Sequence, residues 1–133
     1  MTKIQKDKFD FSGYVTKYDS LCTDDRTIAK DAFKDCDGKT VPLTYGFDGD
    51  PTFVIGNVTL EHRSDGVYGY CVVNATPSGR IFHRLVKDHE IHDFAIYANK
   101  LKEEDKIVTY GVIRAVSLAF LGANPGAYID YYA

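Results

Sequence analysis

The order of apolar and polar residues along the chain predicts a protein built mainly from β-strands. Apolar residues dominate two runs, 53–61 and 67–73, which flank the turn residues Ser64-Asp65-Gly66. An Asp-Gly step between two such runs is typical of a β-hairpin. The same reasoning predicts five further strands, at residues 9–15, 40–45, 93–101, 107–121 and 128–131.

Two other segments carry helix signals. Thr76 is a favoured N-cap residue and Pro77 suits the first helical position, so a helix is predicted to start there and to end near Asp88 or Glu90. Four apolar residues in this segment have helical spacing: Ile81, Phe82, Leu85 and Val86. A shorter helix is predicted at residues 26–33, after a capping residue and two acids.

The predicted order β, α, β, β, β, α, β, β indicates a β-rich α+β fold. We expect a small closed or strongly bent antiparallel β-barrel with two or three flanking helices. With 133 residues, the chain has the size of one domain. The polar, lysine-rich residues 1–8 are expected to form a flexible N-terminal segment, and residues 9–133 to form the folded domain.

Composition narrows the classes of function. The net charge of −3 argues against a dedicated nucleic-acid binder, which would normally carry a basic stripe. The three cysteines include no CxxC pair, so neither a disulfide framework nor a zinc site is expected. No apolar signal region or membrane-length run is present. We therefore expect a soluble intracellular protein with no cofactor, no bound metal, and no nucleic-acid or membrane partner.

Other residues offer weaker signs of chemistry. His89 and His92 are spaced for one helix face, but no third metal ligand is evident, and the histidines are interpreted as solvated. Asp48-Gly49-Asp50 lacks the rest of an EF-hand loop and is interpreted as a turn. The Tyr and Phe residues of the strands could stack on nucleic-acid bases, but packing in the core and across strands is the favoured interpretation.

Five segments, in order along the chain, resemble one protein family. They are Val41-Pro42-Leu43 with Tyr45-Gly46-Phe47-Asp48, Ile55-Gly56-Asn57-Val58, Asp65-Gly66-Val67-Tyr68-Gly69, Phe94-Ala95-Ile96-Tyr97-Ala98-Asn99, and Arg114-Ala115-Val116-Ser117-Leu118 with Ala123-Asn124-Pro125-Gly126-Ala127. Together they are similar to the prohead (capsid maturation) serine proteases of tailed bacteriophages, whose fold is similar to that of the herpesvirus assemblin proteases. The resemblance implies an endopeptidase that acts on scaffold and capsid segments inside the immature capsid, in the host cytoplasm. It also implies that a homodimer is one possible oligomeric state, since assemblin relatives dimerise.

The resemblance further implies a catalytic triad, and all three of its positions depart from the family pattern. The family histidine falls at Phe47, the serine nucleophile at Ala95 and the third, acidic residue at Ala115. These side chains can neither accept a proton, attack a carbonyl group nor orient an imidazole. The chain as written is therefore predicted to be catalytically inactive, either through engineered substitution or as a natural pseudoprotease that binds scaffold or capsid chains.

The predicted hairpin between the last two long strands fixes where positions 95 and 115 lie relative to each other. A turn centred near Asp105 pairs position 95 with position 115 on one face, with Cβ atoms about 4.5–5.5 Å apart. The loop at position 47 would then supply the histidine. Ser117 shares this strand face and is the alternative nucleophile, but it is interpreted as a small polar residue that fills space.

Overall fold

The computed structural model describes residues 9–22, 25–45, 54–119 and 126–132. Within them the chain forms eight strands, one α-helix and a short 3-10 helix. In chain order these are β1 Phe11–Lys17, β2 Thr27–Ile28, the 3-10 helix Lys34–Cys36, β3 Thr40–Tyr45, β4 Val54–Arg63, β5 Gly66–Val73, α1 Pro77–Lys87, β6 Asp93–Glu104, β7 Ile107–Ala119 and β8 Ile129–Tyr132. The β-rich fold is confirmed, whereas the predicted flexible segment, residues 1–8, lies outside the described residues.

The eight strands form one open, mixed sheet with the order β2-β7-β3-β4-β5-β1-β8, and β6 pairs with β7. β2 and β3 both run parallel to β7. Of the closed or strongly bent antiparallel barrel that the sequence predicts, the closed, all-antiparallel form is therefore wrong. The described residues show one α-helix, where two or three flanking helices were predicted. Since β3 and β7 are separated by three strands and a helix, no local sequence pattern fixes their relative direction.

The two ends of the sheet approach each other at β8. This strand pairs with β1, and its start meets β6 through an isolated bridge between Tyr128 and Asp93. The Phe94 N–H also donates to the Ala127 carbonyl oxygen at 2.9 Å. Gly13 of β1 permits this approach, because a Cβ there would overlap the Tyr128 carbonyl oxygen. β8 thus lies between β1 and the first residues of β6.

Helix α1 begins where the sequence predicts. The Thr76 hydroxyl accepts a hydrogen bond from the Gly79 N–H at 3.1 Å, and Pro77 occupies the first turn. Phe82 stacks on Tyr45 of β3 with ring centroids 4.3 Å apart, which fixes the helix against the sheet. No helix among the described residues is long and apolar enough to cross a membrane.

The helix predicted at residues 26–33 is wrong. Thr27 and Ile28 instead pair with β7 as the short strand β2, and only the 3-10 turn follows. Asp25 and Asp31 have positive φ angles of 66° and 63°, which a continuous α-helix does not accommodate. The apolar residues of this segment are buried without a helix: Ile28 is 8% exposed in β2, and Ala32 is 1% exposed in the turn that follows.

Both predicted hairpins form. β4 and β5 join at Ser64-Asp65, as the Asp-Gly signal indicates. β6 and β7 join at Asp105 and Lys106, whose positive φ angles of 52° and 66° suit a two-residue hairpin turn. The polar run of acids before this turn belongs to β6, which continues to Glu104.

Candidate functional site

Ala95 on β6 faces Ser117 on β7, so the predicted pairing of position 95 with position 115 is wrong. Ala115 faces Tyr97 instead. The register is displaced because the turn is centred later than predicted and because the pairing shifts at three places, just beyond Tyr97, Asn99 and Lys102. A register shift of this kind is a β-bulge, which places two residues of one strand opposite one of the other.

Positions 95 and 115 nevertheless share one face of the hairpin. Ala115 lies two residues from Ser117, the direct partner of Ala95, so the two alanines are diagonal neighbours. Such neighbours lie about 7–8 Å apart, within reach of a bridging side chain. Ala95 is buried and Ala115 is half-buried. Phe47, the position of the family histidine, lies outside the described residues.

Ser117 is a buried residue whose hydroxyl already has a partner. Its side chain is 4% exposed, and its Oγ donates to the Leu118 carbonyl oxygen at 3.1 Å. On its other side, β7 pairs with β3 through Thr44. A serine held in this way fills space between strands, as the sequence interpretation has it. The sequence did not reveal that it would stand directly opposite Ala95.

A cavity of about 220 Å³ borders Ala95. Its walls come from β1, β2, β6, β7 and the segments beside β2. Its described lining residues are Val15, Thr16, Cys22, Arg26, Ile28, Phe33, Phe94, Ala95, Ile96, Tyr97, Ala98, Leu101 and Val108. Arg26 is the one charged residue among them, and its guanidinium lies 3.5 Å from the Glu103 carboxylate. The cavity is therefore apolar, with a paired cation at its border.

The cavity runs along the edge of β6. Its lining includes five consecutive residues of that strand, Phe94–Ala98, although alternate side chains of a strand point to opposite faces. A run of this kind indicates that the space extends beside the edge of the strand. Val15 and Thr16 of β1 form the opposite wall. We call this gap, between Val15–Thr16 and Phe94–Ala98, the seam. The described residues contain no strand that pairs with β6 along it.

The backbone of β6 presents polar groups to the seam. The Phe94 N–H points away from β7, since it bonds to the Ala127 carbonyl group. Backbone groups of a strand alternate in direction, so those of Ile96 and Ala98 point the same way. The seam thus combines an apolar cavity with the hydrogen-bonding edge of a strand.

The histidines of the described residues make pairs and do not form a metal cluster. His62 Nε2 lies 3.1 Å from the Asp31 carboxylate, and His92 Nδ1 lies 2.7 Å from that of Asp93. His89 packs against the Tyr132 ring. Because α1 ends at Lys87, His89 and His92 do not share a helix face. The described residues hold no group of three or more His, Cys, Asp or Glu side chains arranged for a metal ion. Asp48-Gly49-Asp50 lies outside them.

The three cysteines are free and buried. Burial raises the pKa of the Cys36 thiol to about 12 and raises that of Cys71 well above its ordinary value. A thiol must ionise to act as a nucleophile, so these two remain inert at neutral pH. Cys22 borders the seam and adds apolar surface to it.

A cluster of polar and aromatic side chains lies on β1, β4 and β5. We call it the tyrosine cluster, and its members are Tyr14, Glu61, Arg63, Tyr68 and Tyr70. The Arg63 guanidinium donates to Glu61 at 2.7 Å and to the Tyr70 hydroxyl at 3.0 Å. It also lies 3.8 Å from the centroid of the Tyr68 ring. The Tyr14 ring meets the Tyr68 ring edge to face. Every member thus contacts another by a hydrogen bond or a ring contact.

A scan against protein-family models finds no match to this chain, and a search of curated protein sequences finds none either. The resemblance to prohead proteases therefore rests on the ordered segments of the sequence. The structure places Ala95 and Ala115, two of the three positions to which the resemblance assigns a triad, on one face of a hairpin.

Proposed function

We propose that this chain is a prohead-protease-like domain that recognises capsid or scaffold segments and does not hydrolyse them. The observation that carries the proposal is the position of Ala95 and Ala115 as diagonal neighbours on one face of the β6–β7 hairpin. The resemblance assigns the nucleophile and the acidic residue to these two positions. A serine and a carboxylate there would flank one imidazole, as the chemistry of a serine hydrolase requires.

The absence of hydrolysis follows from the side chains. Methyl groups at Ala95 and Ala115 supply neither an attacking oxygen nor a carboxylate, and Phe47 has no ring nitrogen. Ser117, the hydroxyl opposite Ala95, is buried and donates to a backbone carbonyl group. Loss of a nucleophile or its base alone lowers kcat by several orders of magnitude, and combined losses do not add. What remains is a surface that binds a polypeptide.

The partners are segments of the scaffold and capsid proteins, which the domain meets inside the immature capsid in the host cytoplasm. A natural pseudoprotease of this kind would assist assembly by holding such segments. An engineered version would hold the substrate of the parent enzyme. Whether the three substitutions are natural or engineered, the chain carries the same side chains at these positions. One pair of experiments therefore tests both possibilities.

The first experiment restores the triad. The triple variant Phe47→His, Ala95→Ser and Ala115→Glu should cleave the capsid or scaffold protein, as gel electrophoresis and mass spectrometry of the products would show. The double variant that keeps Ala95 is the control, because it has the base and the acid without the nucleophile. A triple variant that folds, binds these proteins and leaves them intact would show a binding domain without protease ancestry in this site.

The second experiment measures binding by the unmodified chain. Calorimetry with purified capsid and scaffold proteins should give saturable binding without cleavage products. If neither protein binds the unmodified chain and neither is cut by the triple variant, the proposed function is wrong.

A further inference from the structure

The side of α1 that faces away from the sheet carries three cations and one large apolar residue. We call it the basic face, and its members are Arg80, Ile81, Arg84 and Lys87. All four are exposed. The other side of the helix holds the buried residues Gly79 and Val86 and the ring of Phe82, which stacks on Tyr45. At 1.5 Å per residue, the basic face extends over about 10 Å of a helix that is fixed to the sheet.

The charges of the basic face are poorly neutralised within the protein. α1 contains no acidic residue from Pro77 to Lys87. The Arg84 guanidinium lies 3.9 Å from the Asp88 carboxylate, and a pair this long and this exposed contributes little. Arg80 and Lys87 make no ion pair with another residue that the structure describes. The face therefore presents its positive charge to the solvent.

The stability of α1 accounts for only part of this arrangement. Arg84 and Lys87 lie in the last turn, where cations interact favourably with the helix dipole. Arg80 lies one turn before Arg84, and like charges four residues apart destabilise a helix. Ile81 adds a large apolar side chain, 60% exposed, beside these charges. Such departures from local stability are expected at functional sites.

The charge of the basic face is opposite to that of the rest of the chain. The three cations give α1 a charge of +3, whereas the whole chain carries −3, so the residues outside α1 carry −6. A long polyanion such as DNA would extend beyond α1 and be repelled by that remainder. A short acidic polypeptide would contact the cations alone, and its apolar side chains would cover Ile81. Charge complementarity therefore favours an acidic polypeptide.

We propose that the basic face binds an acidic helical segment, which sets carboxylates against Arg80, Arg84 and Lys87 and an apolar side chain against Ile81. Acidic residues at i, i+3 or i+4, and i+7 of a partner helix lie on one side of it and match the spacing of the three cations. Each arginine can donate two parallel hydrogen bonds to a carboxylate. This inference rests on the proposed function for the source of the segment, a capsid or scaffold chain.

The test compares two charge-reversal variants by calorimetry with purified capsid and scaffold proteins. The double variant Arg80→Glu with Arg84→Glu should weaken binding at least about tenfold. The matched control is Lys30→Glu with Lys34→Glu, which reverses two exposed cations at the same spacing between β2 and β3. Each double variant takes the net charge from −3 to −7, since each reversal changes it by two. The control should bind as the unmodified chain does.

The dependence of binding on salt separates the charges from the apolar contact. Binding by the unmodified chain should weaken as the ionic strength rises, and this dependence should be smaller in the Arg80 and Arg84 variant. Ile81→Ala should weaken binding at least about threefold and keep the salt dependence, because it removes apolar surface and no charge. If circular dichroism shows that the charge reversal prevents folding, Arg80→Gln with Arg84→Gln takes its place.

The failure of this inference is distinguishable from the failure of the proposed function. If the capsid or scaffold protein binds the α1 variant and the control equally well, the inference is overturned and the proposed function stands. If neither protein binds the unmodified chain, the proposed source is wrong, and a model peptide tests the basic face directly.

The model peptide is a synthetic alanine-based helix with Glu at i, i+4 and i+7 and one Leu beside them. Binding that the α1 variant loses and the control keeps would support the inference. Failure of this peptide to bind would overturn it. Binding of double-stranded DNA that depends on Arg80 and Arg84 would overturn it too, because the partner would then be a nucleic acid.

Discussion

The tyrosine cluster and the seam lie on either side of β1 and treat polar groups in opposite ways. In the cluster, Arg63, Glu61 and Tyr70 form a closed set of hydrogen bonds between 2.7 and 3.1 Å. In the seam, an apolar cavity borders the edge of β6, and the described residues provide no pairing strand there. The strands of the cluster pair on both edges. Among the described residues, β6 pairs along its length with β7 alone and meets the segment before β8 only at its start.

This difference indicates that the two regions contribute differently to the stability of the protein. Polar groups that are fully paired within a folded protein fix one arrangement and leave nothing for a ligand. The edge of β6 beside the apolar cavity has no such network among the described residues. We therefore expect changes in the cluster and at β8 to alter stability, and Ser117, which lies beside the seam, to contribute less.

The largest expected effect on stability comes from Gly13, where β8 closes one end of the gap. Gly13→Ala should lower the free energy of unfolding by about 3 kcal/mol, because the added Cβ would overlap the Tyr128 carbonyl oxygen and push β8 from β1. Chemical denaturation measures the change. Gly38→Ala is an informative control, since no atom lies within 4 Å of a Cβ there and only its positive φ of 77° opposes the change. Equal and small losses in both variants would contradict the close approach of β8.

Within the tyrosine cluster, Arg63→Met should lower the free energy of unfolding by about 2 kcal/mol. The methionine keeps the apolar stem but removes the guanidinium that donates to Glu61 and to the Tyr70 hydroxyl, and charged hydrogen bonds in partly buried sites are worth about this much. The control is Arg84→Met on α1, whose side chain is 85% exposed and 3.9 Å from Asp88. That change should be nearly neutral. If both variants unfold alike, the cluster does not stabilise the fold.

The ionisation of Tyr68 makes the free energy of unfolding depend on pH. Burial, reinforced by the hydrogen bond that its hydroxyl donates to Asp130, raises the pKa of Tyr68 to about 12. In the unfolded chain a tyrosine ionises near pH 10. The stability that comes from the neutral hydroxyl is therefore complete below about pH 10 and is lost as the pH rises towards 12, with a slope of up to about 1.4 kcal/mol per pH unit.

Tyr68→Phe should remove this part of the alkaline loss of stability. Unfolding followed between about pH 9 and 12 should show a shallower decline in the variant than in the unmodified chain. Tyr131→Phe, at a tyrosine that is 52% exposed, provides the comparison. Curves of equal slope for Tyr68→Phe and the unmodified chain would show that the Tyr68 hydroxyl is not held as the structure has it.

Local signals in the sequence were sufficient where one element could be decided from its own residues. Thr76 and Pro77 mark the start of α1, and Ser64-Asp65-Gly66 marks the β4–β5 hairpin. In each case the backbone preference of the residues and the burial pattern agree. The sequence therefore predicted the β-rich fold, one helix and both hairpins.

Features that depend on distant pairing were not predictable in this way. Thr27 and Ile28 become a strand because β7 offers them an edge some 80 residues later, a partner that the capping residue and acids before them do not reveal. The register of Ala95 depends on a bulge in β7, and sequence alone does not locate a bulge. The seam likewise results from where β8 stops, so no residue of its lining signals it.

Ser117 gives the smallest expected effect. It lies beside the seam, yet its hydroxyl is hydrogen-bonded within the protein, as the polar groups of the cluster are. Ser117→Ala should lower the free energy of unfolding by about 1 kcal/mol, the typical contribution of one buried hydrogen bond. In the background of the restored triad, the same change should leave the rate of cleavage unchanged, because Ala95→Ser supplies the nucleophile. If Ser117→Ala abolished cleavage there while the protein stayed folded, Ser117 would be the attacking residue. The site would then be centred two residues further along β7 than the family pattern implies, and Ala115 would lose its assigned place in it.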